Sequence, residues 1–275
     1  MITVMITAYR SGVSPMCVVF IALQQHPEYP LVVLANRDEF HQRPSAAMRW
    51  RKWGQQPILA GLDEQGGGTW LGVTPAGRLA ILTNFRDPQA FREDAPSRGH
   101  WVTTALQQSE QQLQQQLQSS ADDYNPFNLL FSDGHRVTTF HSPEKHTQTL
   151  AKGVHALSNA NLNTPWPKAV VGTTQLRQLM AQPQLTTEEL LAVLTNDVRA
   201  ELEQLPNTGV GQQLEHFLSP IFIRGEDYGT RCSTVIKFRR DGMLSVTERR
   251  FAALGKPLGE HHFRWKIRAT DAQRI

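Results

Sequence analysis

Short apolar runs rich in β-branched residues alternate with turn residues in the first part of the chain, and this pattern predicts strands. The runs are too close together for crossover helices between them, so antiparallel pairing is expected. The predicted strands are Cys17–Leu23, Leu31–Asn36, Ile58–Ala60, Thr69–Thr74 and Arg78–Asn84.

Helical periodicity appears in three later segments of the chain. Apolar residues recur at helical spacing in Gly99–Gln118, whose glutamine-rich side is expected to face solvent. Trp166–Met180 follows a proline, and Thr186–Val198 opens with a Thr-x-x-Glu pattern that is typical of a capping box. Helices are therefore predicted for all three segments.

Two further pairs of apolar runs surround Asp-Gly turns and predict hairpins. They are Phe127–Ser132 with His135–Phe140, and Ser233–Arg239 with Leu244–Arg250. Strands in two groups with helices between them predict an α+β fold, in which antiparallel sheets are covered by helices.

The composition of the 275 residues is that of a globular protein, with 40% hydrophobic and 19% charged residues. We found no internal repeat and no linker, so residues 16–275 are interpreted as one domain. Met1–Pro15 is set apart as an upstream extension, either a propeptide or a mis-assigned start, because it fits neither a signal peptide nor a lipoprotein leader.

Charge and cysteine content narrow the class of protein further. A net charge of +3 with scattered basic residues does not indicate nucleic-acid binding. Two cysteines do not make a disulfide framework, and no apolar run approaches the length of about 20 residues that a membrane span needs. A cytoplasmic protein without a transmembrane segment is expected.

The pair Met16-Cys17 is the strongest candidate for chemistry. If translation starts at Met16 and that residue is removed, Cys17 becomes chain-terminal and carries both a nucleophilic thiol and a basic α-amine. The alternative is that Cys17 is a small core residue, which is the usual role of a lone cysteine in an apolar run.

Polar clusters at strand ends supply the other candidate residues. Arg37 and Asp38 could orient a nucleophile, or could form a surface ion pair. Asn84 and Asn159 could donate to an oxyanion, or could cap turns. Arg231 could bind a carboxylate or support a thiolate.

The remaining motifs of the sequence do not indicate a functional site. Gly66–Gly68 is expected to allow a tight turn before Trp70, and Cys232 is expected to be a packed small residue. The histidines show no zinc-ligand spacing, and there is no Gly-x-Ser-x-Gly elbow. No metal and no cofactor are predicted.

Taken together, the motifs resemble the NRDE-motif family, of which transport and Golgi organisation protein 2 is a member. The resemblance runs in order from Cys17 to about Phe251. It is carried by Met16–Phe20, Ala35–Phe40, Gly67–Gly72, Leu82–Arg86, Leu157–Asn159, Thr164–Lys168 and Tyr228–Arg231.

The resemblance implies a fold and a set of site residues. The family is similar to N-terminal nucleophile hydrolases, which implies a four-layer αββα sandwich of two antiparallel sheets. Among those hydrolases, the bile-salt hydrolase and penicillin V acylase group is the most similar in pattern, although there the arginine and aspartate are separated in sequence. It implies a catalytic cysteine with helpers, here Cys17, Arg37, Asp38, Asn84, Asn159 and Arg231.

Two functions remain open at this point. The first is an N-terminal-cysteine amidohydrolase or acyltransferase that acts on a linear amide or thioester. The second is a non-catalytic carrier of haem, acyl chains or another apolar ligand, since members of the family have been linked to lipid, acyl-coenzyme A and haem handling. Either way the expected partner is a small molecule, and the state of the Cys17 α-amine distinguishes the two.

Overall fold

The computed structural model describes residues 16–267, so the predicted upstream extension Met1–Pro15 lies outside the described residues. Two antiparallel sheets, one of six strands and one of seven, form the centre of the fold. The first sheet has the spatial order β10 (Gly153–Leu157), β1 (Cys17–Leu23), β2 (Leu31–Phe40), β11 (Tyr228–Phe238), β12 (Met243–Phe251) and β13 (Pro257–Lys266).

The second sheet is a meander, in which each strand pairs with its neighbour in sequence. Short connections are sufficient for such antiparallel neighbours, except where two helices intervene between β6 and β7. Its strands are β3 (Ser45–Trp53), β4 (Gln56–Asp63), β5 (Leu71–Val73), β6 (Leu79–Asn84), β7 (Phe127–Ser132), β8 (Val137–His141) and β9 (His146–Thr149).

Helices cover the outer face of each sheet. The second sheet is covered by α1 (His100–Gln107) and α2 (Glu110–Ser120), and the first by α3 (Pro167–Met180) and α4 (Thr187–Leu194). A short helix, α5 (Gln212–Phe217), packs near the start of β1.

Strand alternation in β1 shows how the layers are built. Val19, Ile21 and Leu23 face the second sheet, whereas Val18 and Phe20 face α3 and α4. Both faces of this strand are therefore buried, which explains its nearly continuous apolar sequence. The predicted four-layer αββα sandwich is confirmed.

Several predicted elements differ from those observed. The helix predicted over Gly99–Gln118 is two helices, because Ser109 caps the second one in a capping box with Gln112. The predicted capping box of Thr186 and Glu189 is confirmed, but its helix ends at Leu194.

Strand β2 continues to Phe40, so the Asn36–Glu39 motif lies within a strand instead of following one. Four strands, β3, β9, β10 and β13, were not predicted, and their residues are mostly exposed or half-buried. Within residues 16–267, no helix is both long and apolar enough to cross a membrane.

Candidate active site

A cavity of about 620 Å³ opens at the start of β1 and the ends of β2 and β6, beneath the loop 85–99. Cys17, Arg37, Asp38 and Asn84 all line it. The structure thus brings four of the six candidate residues together, from the consecutive strands β1 and β2 and from the more distant strand β6.

Cys17 begins β1 and lies opposite Arg37 in the register with β2. Only 8% of the residue is exposed, and its side chain lies on the face of β1 that points towards the second sheet. Burial, followed by the nearby negative charge of Asp38, raises the pKa of the Cys17 thiol to about 12, although Arg37 opposes this shift. In a chain that still carries Met16, the thiol is therefore protonated at neutral pH.

Arg37 and Glu39 project to the same side of β2, towards the cavity. The Nη2 atom of Arg37 lies 3.5 Å from a carboxylate oxygen of Glu39, and its guanidinium stacks over the Trp70 ring at 4.5 Å. Burial raises the pKa of Glu39, and the charge of Arg37 opposes that rise. The pair gives the cavity a buried ionic wall beside the thiol.

Asp38 points the other way, towards the helical layer, and is fully buried. Its Oδ1 accepts a hydrogen bond of 2.6 Å from Thr230 Oγ1, whereas its Oδ2 has no hydrogen-bond partner in the described chain. Burial raises the pKa of Asp38 to about 6, with Lys168 opposing, and burial lowers the pKa of Lys168 to about 8.

Lys168 was present in a resembling motif but was not predicted as a site residue. Its Nζ donates to the Leu218 carbonyl at 3.0 Å. Lys168, Gly172 and Leu176 recur at helical spacing on the buried face of α3, and this periodicity could have placed the ammonium group near the sheet.

Met16 is held tightly by its backbone. Its N–H donates to the Tyr228 hydroxyl at 2.7 Å, and its carbonyl accepts from the Asp38 N–H at 2.8 Å. Its sulfur contacts the Arg86 guanidinium, which is itself paired with Glu215. The peptide bond that would have to be cleaved to free Cys17 is thus buried among polar groups.

Asn84 and Asn159 have different positions. Asn84 lines the cavity, whereas Asn159 is not part of its lining. Asn159 Nδ2 donates to the Asn84 carbonyl at 2.8 Å, and the neighbouring Ser158 hydroxyl donates to the Cys17 carbonyl at 2.9 Å. Asn159 and Ser158 together therefore tie the end of β6 to the start of β1.

Arg231 is also outside the cavity lining. The register of β11 with β2 shifts between Thr230 and Cys232, so Arg231 is the extra residue of a β-bulge. Its Nη1 donates to the carbonyls of Phe40 and Arg43, at 2.7 and 3.0 Å. The bulge turns this side chain towards the β2–β3 connection and away from the thiol.

Asn36, which opens the NRDE motif, does not reach the cavity either. Its Nδ2 donates to the carbonyls of Leu194 and Ile221, each at 2.8 Å, and its Oδ1 accepts from Ser233 at 2.6 Å. Strand alternation separates the motif: Asn36 and Asp38 face the helices, whereas Arg37 and Glu39 face the cavity.

Arg98 lines the cavity from the loop 85–99, and no sequence motif indicated it. The loop is held by a close backbone contact, since a Cβ atom on Gly68 would lie 2.8 Å from the carbonyl carbon of Gly99. Gly67 has a φ of +69°, which confirms the predicted tight turn before Trp70. The Gly66–Gly68 motif thus positions the loop that carries Arg98.

No group of three or more His, Cys, Asp or Glu side chains is arranged to hold a metal ion in residues 16–267. Four of the charged side chains at the cavity form ion pairs along its wall, with Arg37 beside Glu39 and Arg43 beside Asp63. What the arrangement offers chemically is a thiol, an amide and several charged groups around one enclosed space.

Comparisons with known proteins agree with the motif content. A family model described as Transport and Golgi organisation 2 matches residues 16–253. The Bos taurus Transport and Golgi organization protein 2 homolog is 35% identical, over 91% of this chain and 96% of the relative. The Homo sapiens homolog is 34% identical, over 85% of this chain and 92% of the relative.

Among solved structures, the Caenorhabditis elegans ortholog of N-acylethanolamine-hydrolyzing acid amidase aligns with a TM-score of 0.45 and 8% sequence identity. That alignment covers 80% of this chain and 92% of the other. The family match includes every strand except β13 and all residues that line the cavity, and the mammalian relatives cover most of the chain. This chain belongs to the Transport and Golgi organisation 2 family.

Proposed function

We propose that this protein is a cysteine-dependent amidohydrolase or acyltransferase for a linear amide or thioester, with Cys17 as the nucleophile at the start of its active chain. The observation that carries the proposal is the convergence of Cys17, Arg37 and Asn84 on one cavity, beside which Asp38 lies with its carboxylate buried on the helical side of β2. Thiol, cation, carboxylate and amide are the groups that acyl transfer through a thioester intermediate requires.

Release of Cys17 from Met16 is the activating step in this proposal. With Met16 attached, burial and Asp38 raise the pKa of the thiol to about 12, and the chain has no amine at this position. A free α-ammonium group would add a positive charge next to the thiol and so lower its pKa. In its neutral form the same amine would accept the thiol proton.

Asp38 is suited to hold that amine. Its Oδ2 is buried and unpartnered within the described chain, and its backbone N–H bonds to the carbonyl of Met16. A buried carboxylate oxygen without a partner is costly, and an ammonium group within reach would offset that cost. Tyr228, whose hydroxyl accepts from the Met16 N–H, would become available to the same amine.

The reaction then follows from the residues at the cavity. The Cys17 sulfur bonds to the acyl carbon while its proton passes to the α-amine. The amide side chain of Asn84 donates to the tetrahedral oxyanion, an interaction that is typically worth about 10²–10³ in rate. The amine returns the proton to the leaving amine or thiol, and water or an acceptor releases the acyl group from Cys17.

The two remaining candidate residues support this geometry from a distance. Asn159 fixes the end of β6 that carries Asn84, and Arg231 fixes the connection that follows β2. In the proposal both are positioning residues, because they hold the strand ends at which the reacting groups lie.

A carrier function is the second candidate. It is favoured by the high pKa of the Cys17 thiol in the chain with Met16, and by Trp70, Leu82 and Phe91 on the cavity wall. These apolar groups suit an acyl chain or another apolar ligand. A carrier needs no free amine on Cys17.

Trapping an acyl-enzyme tests the enzyme proposal. Purified protein that begins at Cys17 is mixed with S-hexanoyl-N-acetylcysteamine, and intact-mass spectra are taken at early times. We expect a hexanoyl adduct that maps to Cys17, persists in Cys232→Ala and is missing in Cys17→Ala. Binding of the thioester without an adduct or turnover would support the carrier instead.

A further inference from the structure

Arg98 is the cavity arginine that has no acidic partner among residues 16–267. The other two arginines on the wall are paired: Arg37 with Glu39, and Arg43 with Asp63, the latter at 2.8 Å. The Arg98 guanidinium makes one hydrogen bond in the described chain, from Nη1 to the Pro126 carbonyl at 3.1 Å.

We propose that Arg98 binds an anionic oxygen group, a carboxylate or a phosphate, on the molecule that occupies this cavity. The inference rests on the proposed function in one respect, because it takes that molecule to be the acyl substrate. It adds a substrate class: a linear amide or thioester with an apolar segment and one anionic end.

The position of Arg98 is fixed before any ligand binds. The Gly68–Gly99 contact anchors the loop at the end next to Arg98. Further along, Asn125 accepts from the Arg92 N–H and donates to the Arg92 carbonyl, both at 2.7 Å. A guanidinium group held in this way loses little conformational entropy when it pairs with an anion.

The electrostatic surroundings favour an anionic partner. Burial lowers the pKa of Arg98 to about 10, an ionised Cys17 and Glu39 would oppose that shift, and the charge of Arg43 adds to it. Arg98 therefore stays charged at neutral pH in a desolvated place. A partly buried cation without a counterion is unfavourable, and a carboxylate or phosphate could bind it through two parallel hydrogen bonds.

Acidic groups of the cavity do not occupy this position. Arg43 donates to both carboxylate oxygens of Asp63 and lies 3.7 Å from Glu39, and Asp38 faces the helical layer. Glu93 is exposed on the loop. Trp70 and Leu82 also line the cavity and offer an apolar surface for the rest of the ligand.

Calorimetric titration of the full chain with three matched six-carbon ligands tests the proposal. Hexanoate and hexyl phosphate carry the anion, and hexanamide is the neutral control. We expect one of the anions to bind at least about tenfold more tightly than hexanamide, which corresponds to about 1.4 kcal/mol. The preferred anion identifies whether the group is a carboxylate or a phosphate.

Variants of Arg98 test whether this residue causes the preference for the anionic ligands. Arg98→Gln should reduce anion binding to the level of hexanamide. Arg98→Lys should retain part of the preference for the anions over hexanamide, because lysine keeps the positive charge but lacks the two parallel N–H donors of the guanidinium. Arg92→Gln is the matched control, since it removes an arginine from the same loop that is outside the cavity lining, and it should bind like the wild type. Thermal unfolding confirms that each variant is folded.

Equal binding of the three ligands by the wild-type protein would overturn the proposal, and so would an undiminished anion preference in either folded Arg98 variant. The titration is repeated in Cys17→Ala, which cannot form an acyl-enzyme. Arg98-dependent anion binding there, together with the lack of a Cys17 adduct in the wild type, would refute the enzyme and leave the anion site standing.

Discussion

Arg37 lies directly opposite Cys17 in the pairing of β1 with β2, and its other neighbour, on β11, is Cys232. The arginine therefore stands between two thiols on one face of the first sheet, and its charge lowers the pKa of both against the effect of burial. Two strand spacings of about 4.8 Å separate the cysteines, which is beyond the reach of a disulfide.

The two thiols should differ in reactivity. Cys17 lines the cavity and is 8% exposed, whereas Cys232 is 3% exposed and lies beside Glu248. The pKa of the Cys232 thiol is raised well above its ordinary value, first by burial and second by the negative charge of Glu248. Under native conditions iodoacetamide should alkylate Cys17 at least about tenfold faster, since reactivity follows thiolate fraction and access. Mass mapping of a time course measures the ratio, and equal rates would place the reactive site elsewhere.

Asp38 should make stability depend on pH. Burial raises its pKa from 3.8 to about 6, so the folded protein holds this proton more tightly than the unfolded chain does. The stabilisation is complete below about pH 4 and is lost as the pH rises through 6. Between pH 4 and 7 the unfolding free energy of the wild type should therefore fall by on the order of 2–3 kcal/mol more than that of Asp38→Asn does.

Urea unfolding of both proteins at several pH values measures this difference. Asp227→Asn is a control, because that aspartate is exposed. If the difference in unfolding free energy between wild type and Asp38→Asn is the same at every pH from 4 to 7, Asp38 does not titrate near pH 6.

Replacing Arg231 should affect stability more than the thiol. Arg231→Gln removes hydrogen bonds to the Phe40 and Arg43 carbonyls, and we expect a loss of about 1–3 kcal/mol in unfolding free energy. The iodoacetamide rate at Cys17 should stay within about twofold of wild type, because the side chain does not line the cavity. A tenfold fall in that rate with little loss of stability would give Arg231 the direct role that the family resemblance implied.

Asn36 and Arg37 are adjacent but should respond differently to mutation. Asn36→Ala leaves the carbonyls of Leu194 and Ile221 without donors, so the unfolding free energy should fall by about 2–4 kcal/mol. Arg37→Gln should instead slow Cys17 alkylation, because the positive charge opposite the thiol is lost. Urea denaturation and Cys17 alkylation rates measured on both variants test these two roles. Slow alkylation in Asn36→Ala together with a loss of stability alone in Arg37→Gln would contradict the prediction.

Much of the sandwich could be predicted from the sequence because its central strands are buried on both faces. Strands β1 and β2 read as nearly continuous apolar runs, and the Asp-Gly turns marked two hairpins. Strand β13 could not be recognised in this way, since most of its residues are exposed and it carries histidines and charges. Its pairing with β12 depends on the sheet, not on local sequence.

The site was predictable only in part, for a similar reason. Cys17 and Asn84 lie at strand ends that the sequence marked, and Arg37 and Asp38 lie in the last part of β2, so these four residues were found from local patterns. Arg231 is turned by a bulge, and Arg98 is placed by a contact between Gly68 and Gly99. Both depend on residues distant in sequence, and no local pattern reports such contacts.

The state of the Cys17 amine tests the account most directly. Two proteins are compared: one that begins at Cys17, prepared by site-specific proteolysis of a fusion, and one in which an acetylated Met16 precedes Cys17. Rates of S-hexanoyl-N-acetylcysteamine hydrolysis are measured for both, after far-UV circular dichroism shows that both are folded. The account predicts at least about a hundredfold faster turnover with the free amine, corresponding to about 2.7 kcal/mol of barrier. Equal turnover, or none in either protein, would contradict it.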